Sequence, residues 1–233
     1  MQYVKIKDSI VEQIDTGMLS PRQKLPSERK LAESFDTTRV TLREALSLLE
    51  AEGRIYREDR RGWFISPQPL RYDPTQSPSF SDIAQAQDRS PATKLVIAKS
   101  MMANKQATNL LHLPPFSDVY HVERVHYLEK RPVVYVTHYI NPKYFPDILD
   151  YDLTISLIKI YRDHFSVVYK RSHYRISTST LLGEVALALR ATSGTPAMVI
   201  ERTNYNQDDD MIDCQIEYWR HDAIKIESVA ALV

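Results

Sequence analysis

Four prolines fall within twelve residues in the stretch PQPLRYDPTQSP, residues 67–78. Proline has no backbone N–H to donate, and it disfavours helix at the residue before it. The stretch leaves too few donors for regular structure, so it is read as a linker between two domains. The expected division of the 233 residues is 1–66, linker 67–78, and 79–233. Composition shifts across the seam. All seven histidines lie after it, from His112 to His221, while three of the five glycines (17, 53 and 62) lie before it.

The first segment reads as mostly helical. Ile6, Ile10, Val11 and Ile14 recur at helical spacing over residues 3–15, and Gly17 ends that helix. Ser27 is a good N-cap for a second helix, with Glu28 in its first turn and Leu31, Ala32 and Phe35 facing inward. A tight turn, DTT, leads to a third helix capped by Thr37 or Thr38. Its buried stripe is Leu42, Ala45, Leu46 and Leu49, and Gly53 stops it. RIYRE and WFIS read as two short strands around DRRG. This order of helix, turn, helix and hairpin is that of a winged helix-turn-helix.

The arginines of this segment are placed rather than massed. Residues 22–61 hold ten Lys and Arg against eight Asp and Glu, a difference of +2, in a chain of zero formal net charge. Arg39 and Arg43 are four residues apart at the start of the third helix, opposite its buried stripe, with Val40 and Thr41 between them. Ser27 and Arg29 open the preceding helix. Arg60, Arg61 and Gly62 sit at the hairpin tip. Arginine can bond a guanine edge or a phosphate with two donors, and the early turns of a recognition helix are what enter the major groove. A solvated face of ordinary ion pairs explains one arginine pair, but not three segments that converge.

The stretch KLPSERKLAESFDTTRVTLREALSLLEAEGRIYREDRRGWF resembles the DNA-binding domain of GntR-family bacterial repressors. The resemblance implies operator contacts by Arg29, Arg39 and Arg43, phosphate or base-edge contacts by Thr38 and Thr41, and a wing-tip approach by Gly62 beside Arg61. Trp63 departs from the pattern, since many relatives carry a small residue there.

The second segment reads as α+β, a mostly antiparallel sheet with helices. DVYHVERVHYLEKRPVVYVTHYI is two long strands around EKRP. TISLIKIYRDHF and TLLGEVALALRA are helices, and YKRSHYRISTST, AMVIERTNYNQ and MIDCQIEYWRHDAIKIESV supply further strands. The order is similar to the UTRA effector-binding domain of the HutC branch of GntR regulators, a chorismate-lyase-like fold. By that resemblance Arg124 and His126 stand where relatives that bind phosphorylated sugars carry two arginines for the phosphate. Ser156 and Ser81 match hydroxyl donors, Tyr218 and Arg220 match the last strand of the pocket, and Arg175 is a further candidate. Val136 replaces a glutamate that serves the sugar.

The motifs DTTR, DRRGWF and IEYWRHD resemble the branch of regulators of 2-aminoethylphosphonate use. The implied partners are double-stranded palindromic operator DNA, a small anionic effector such as a phosphonate, and a second copy of the chain joined through the C-terminal domains. The alternatives are a chorismate-lyase-like enzyme, or a regulator that senses a phosphorylated sugar or an amino-acid catabolite. No nucleophile–base pair is evident from spacing, so no catalysis is expected. No cofactor or metal is expected, because the histidines lack ligand spacing. Cys214 is the one cysteine, so no internal disulfide can form; the N-terminus is charged and unlike a secretory signal. A cytoplasmic protein without membrane spans is expected.

Overall fold

The computed structural model describes residues 1–76 and 78–229. The head consists of α1 (Gln2–Asp15), α2 (Glu28–Ser34), α3 (Arg39–Ala51), β1 (Ile55–Glu58) and β2 (Gly62–Ile65). Local chemistry sets each boundary. The Ser27 hydroxyl accepts from Lys30 N at 3.3 Å, and the Thr38 hydroxyl accepts from Thr41 N at 3.2 Å, so each satisfies an amide that its helix cannot. Gly53, at φ +69°, takes the left-handed step after α3.

β1 and β2 pair antiparallel, Glu58 opposite Gly62, so Asp59, Arg60 and Arg61 form the wing tip. Gly62 there has φ +97°, a region open to glycine and strained for other residues. Residues 22–25 add a third rung along β2, through Leu25 N to Trp63 O and Ile65 N to Gln23 O, both 2.9 Å. The head core is Ile6, Ile10, Leu25, Leu31, Leu42, Leu46, Leu49, Ile55, Trp63 and Ile65 with their small neighbours. Trp63 is therefore packed inward.

The proline-rich seam contains structure that its prolines do not forbid. Leu70–Tyr72 form β3, which pairs in parallel with β10 (Ile224–Ile226). The prolines at 67, 69 and 74 flank these three residues rather than interrupt them, so every residue of β3 retains its amide.

The second domain is built on a six-stranded antiparallel sheet. Its strands are β4 (Pro91–Met102), β5 (Asp118–Leu128), β6 (Arg131–Ile140), β7 (Arg171–Thr180), β8 (Pro196–Tyr205) and β9 (Met211–Arg220), in the order β4-β5-β6-β9-β8-β7. β5 and β6 are joined by Glu129 and Lys130, both left-handed, as a two-residue hairpin turn demands. α4 (Phe80–Gln85) and α6 (Leu157–Phe165) cover one face of the sheet; α5 (Lys105–Leu111) and α7 (Gly183–Ala188) cover the other. Cys214 is fully buried on the α5 side. Among the described residues no helix is long and apolar enough to cross a membrane.

Candidate nucleic-acid interface and effector cavity

The head presents its arginines from three elements that meet at Glu28. Arg43 Nε donates to Glu28 Oε2 at 2.8 Å, and Trp63 Nε1 donates to Glu28 Oε1 at 3.2 Å. One carboxylate thus ties the starts of α2 and α3 to the wing strand. Burial alone would raise the Glu28 carboxyl, but the bonds from Arg43 and Trp63 outweigh it and hold the group below its usual range.

The remaining head candidates are exposed or nearly so. Val40 is 69% exposed on α3, a large apolar side chain with no core to fill. Arg39 and Ser27 are exposed, and Arg29 pairs with Glu33 at 2.9 Å. The Thr38 and Thr41 hydroxyls stand 3.0 Å apart. At the wing tip the Arg60 side chain is 94% exposed, while Arg61 is tied to Glu58. The charge of Arg43 is met by Glu28 from the neighbouring helix rather than by Glu44 beside it.

In the second domain a cavity of about 80 Å³ opens between the sheet, α4 and the start of α6. That exceeds the roughly 10–15 Å³ that one water needs, so several waters or a small organic ligand fit. Side chains two residues apart on a strand share a face. Three neighbouring strands therefore bring Arg124 and His126 from β5, Val134, Val136 and His138 from β6, and Gln215, Glu217 and Trp219 from β9 onto one wall. Ser81, Ser156 and Arg202 also line it, as does Tyr72 from the seam.

Arg124 is buried, and none of its hydrogen bonds reaches a carboxylate. Nη1 donates to the Ile155 and Leu153 carbonyls at 3.0 and 3.3 Å; Nη2 and Nε face His138 Nε2 at 2.9 and 3.3 Å. Burial pushes the guanidinium down to about 10, which leaves it charged at neutral pH. With two arginine donors on Nε2, the His138 proton sits on Nδ1, and that buried atom has no partner. Desolvation and then the charge of Arg124 hold both His126 and His138 well below the usual histidine range, so both rings are neutral.

His126 Nδ1 lies 2.8 Å from the Thr93 hydroxyl, and its ring stacks on Phe80 at 4.5 Å. Arg202 donates to Glu217 Oε1 at 2.8 Å, and its Nε is unpartnered. Trp219 Nε1 donates to Glu217 Oε2 at 2.7 Å. The formally charged side chains of the lining are Arg124, Arg202 and Glu217, two basic and one acidic.

Three of the sequence candidates lie elsewhere. Arg175 is on the edge strand β7, where its exposed side chain pairs with Glu201 at 2.7 Å. Tyr218 and Arg220 have the opposite parity to Glu217 and Trp219, so strand alternation turns them to the α7 side. Arg220 there bonds the Leu189 and Arg57 carbonyls. Sequence reasoning missed His138, Arg202, Gln215, Glu217 and Trp219. His138 was within reach, two residues beyond Val136 on the same strand. Among the described residues no group of three or more His, Cys, Asp or Glu side chains could hold a metal ion.

Comparison with known proteins agrees with this two-part build. Residues 2–65 match the family of bacterial regulatory proteins described as the gntR family, and residues 86–225 match the UTRA domain. The chain is 30% identical over 230 residues to the uncharacterized HTH-type transcriptional regulator YihL of Escherichia coli K12, with 94% of each chain covered. It is 26% identical to the HTH-type transcriptional repressor NagR of Bacillus subtilis, over 88% of this chain and 84% of that one. The crystal structure of PhnF from Mycobacterium smegmatis shares the fold with a TM-score of 0.69 at 24% identity, covering 98% of this chain and 100% of that one. The chain belongs to the GntR family of bacterial transcriptional regulators, in the HutC branch, with a DNA-binding winged helix-turn-helix followed by a UTRA effector domain.

Proposed function

We propose that this regulator is a cytoplasmic repressor that binds a palindromic operator as a homodimer, and that its effector is a small organic phosphonate such as 2-aminoethylphosphonate. The observation that carries the effector assignment is the buried Arg124 guanidinium, which has no carboxylate bond and lines the same cavity as His138 and Arg202, two residues that each keep one buried donor without a partner. Buried donors without partners are costly, and an anion with several oxygens satisfies them together. Ser156 adds a hydroxyl at the start of α6, where the helix dipole also favours negative charge.

The rest of the wall favours a short ligand. Val134, Val136, Phe80 and Trp219 offer apolar surface where a sugar ring would need hydrogen-bonding partners. Glu217 is the one carboxylate of the lining and suits an amino group. Repression is supported by the relative NagR, which is a repressor. The exposed Arg39, Arg43 and Arg60 are the operator-reading set, Arg39 and Arg43 in the major groove and Arg60 with Arg61 and Gly62 at the wing.

Isothermal calorimetry on the full chain tests the effector, with 2-aminoethylphosphonate, inorganic phosphate and glucosamine 6-phosphate as probes. Tightest binding of the phosphonate is expected. Tight binding of the sugar phosphate alone overturns the assignment. Gel shifts on an operator selected from random DNA then test repression: the bound phosphonate is expected to weaken the complex.

A further inference from the structure

The head meets the second domain through cation–π contacts and hydrogen bonds rather than through a shared apolar core, with Arg22–Glu129 at 3.2 Å as an ion pair that crosses. Every buried residue of the head core lies at or before Ile65, and the four cores of the second domain begin at Leu70. Between them sits Tyr56 of β1, buried, with the Arg131 guanidinium 3.4 Å from its ring centre and that of Arg220 5.4 Å away. Arg131 Nη2 donates to Asp222 Oδ2 at 2.6 Å, and the Ser66 hydroxyl donates to the same oxygen at 3.3 Å. Arg220 Nη2 donates to the Arg57 carbonyl at 2.9 Å. From the head side, Asp59 N donates to the Arg190 carbonyl at 2.9 Å.

This cluster is incompletely satisfied. Arg131 Nε and Nη1, Arg220 Nε and Asp222 Oδ1 are buried without hydrogen-bond partners, and Arg220 Nε stands 3.5 Å from Asp222 Oδ1. A half-satisfied polar interface binds less firmly than an apolar one, and parting it uncovers Tyr56 but neither of the two domain cores. Its position matters as much as its chemistry. Arg220 follows Trp219 directly on β9, a strand held between β6 and β8. Glu217 and Trp219 face the cavity on one side of that strand, and Arg220 faces the wing on the other. About 10 Å of strand separates Glu217 from Arg220.

We propose that the C-terminal end of β9 and the turn after it form a latch: Arg220 and Asp222, with Arg131, hold Tyr56 and Arg57 of the wing, and the hold depends on how Glu217 and Trp219 are engaged in the cavity. The coupling rests on the reading of that cavity as the effector site. A ligand that takes a bond from Glu217 shifts the strand end that carries Arg220, and the head is freed or fixed by a few polar contacts. The seam 67–78 then follows the movement rather than transmitting it.

The Asp59 amide reports docking directly, because its acceptor belongs to the other domain. Hydrogen exchange at residue resolution on the full chain is the test. Arg131→Met and Asp222→Asn are each expected to speed Asp59 exchange at least tenfold, while the Leu46 amide in the head core stays protected and shows that the head is folded. Glu217→Gln, on the cavity side, is expected to speed Asp59 at least threefold. Saturating 2-aminoethylphosphonate is expected to change Asp59 exchange at least threefold in the unmodified chain and to have no effect in Arg131→Met. Unchanged Asp59 exchange in both latch variants overturns the latch, and unchanged exchange in Glu217→Gln overturns its link to the cavity. If calorimetry shows no binding of the phosphonate, the effector assignment fails while the variants still decide the latch.

Discussion

Arg43 and Glu28 are bonded at 2.8 Å across fifteen positions of sequence, from the first turns of one helix to the first turn of another. The bond aims the Arg43 guanidinium and also neutralises it. On the proposed assignment of Arg43 to the operator, DNA competes with Glu28 for the same donors, and the pair sets how much free charge α3 offers.

Arg43→Ala is expected to abolish specific operator binding without unfolding the head, as read by gel shift beside circular dichroism. Glu28→Gln acts the other way on non-specific DNA. It leaves Arg43 free, and affinity for mixed-sequence DNA is expected to rise about threefold at low salt and converge with the unmodified chain at high salt. Fluorescence anisotropy over a salt series checks it; equal affinities at every salt would show that the pair does not restrain Arg43.

Acid should loosen the head through the same carboxylate. Glu28 is held below its usual range in the folded state, so its contribution is present above the unfolded value and lost as pH falls through the folded one. The loss is expected below about pH 4.3, the ordinary glutamate value. Thermal unfolding of the full chain and of Glu28→Gln between pH 3 and 7 should show the variant with the flatter acid limb.

Trp63 fills the head core and donates to Glu28, so its removal costs both packing and a hydrogen bond. Trp63→Ala should destabilise the head by about 3–5 kcal/mol, and Trp63→Phe, which keeps most of the volume, by much less. Urea unfolding followed by circular dichroism measures both. A loss near zero in Trp63→Ala would mean that the indole does not support the head.

Arg124→Met removes the one cavity cation whose hydrogen bonds include no carboxylate and keeps an unbranched chain in its place. Anion binding should weaken at least 100-fold by calorimetry. His138→Phe removes the unpartnered Nδ1 donor and the acceptor that orients Arg124, and a smaller loss of about tenfold is expected. If the two variants bind as the unmodified chain does, the anion lies outside this cavity.

The head was largely legible because its signals are local. Ser27 caps the helix it was expected to cap, Thr38 is the one of the two threonine candidates that caps α3, and the stripe of Leu42, Ala45, Leu46 and Leu49 is the buried one. The hairpin around EKRP followed from two long strands. Residues 79–117 were not legible. β4 carries Leu95, Val96 and Ile97 in succession beside a register shift between Leu95 and Ile97, so its two faces do not separate by pattern. β3 was hidden by the prolines on either side of it. In the cavity, Arg124, His126, Ser81 and Ser156 came from resemblance, while the wall of β9 depended on a parity that sequence alone left open. One position of error turned Glu217 and Trp219 into Tyr218 and Arg220. The latch was out of reach altogether, since Arg131 and Asp222 are 91 positions apart.

The two apolar interiors share no residue. A substitution inside the sensor therefore exacts no packing cost in the DNA reader, and the reverse holds as well. Such a chain can drift toward a new metabolite while it keeps its operator, or exchange one half by recombination and remain foldable. Only the polar seam between the halves must be inherited as a set, because Tyr56 comes from one half and Arg131, Arg220 and Asp222 from the other.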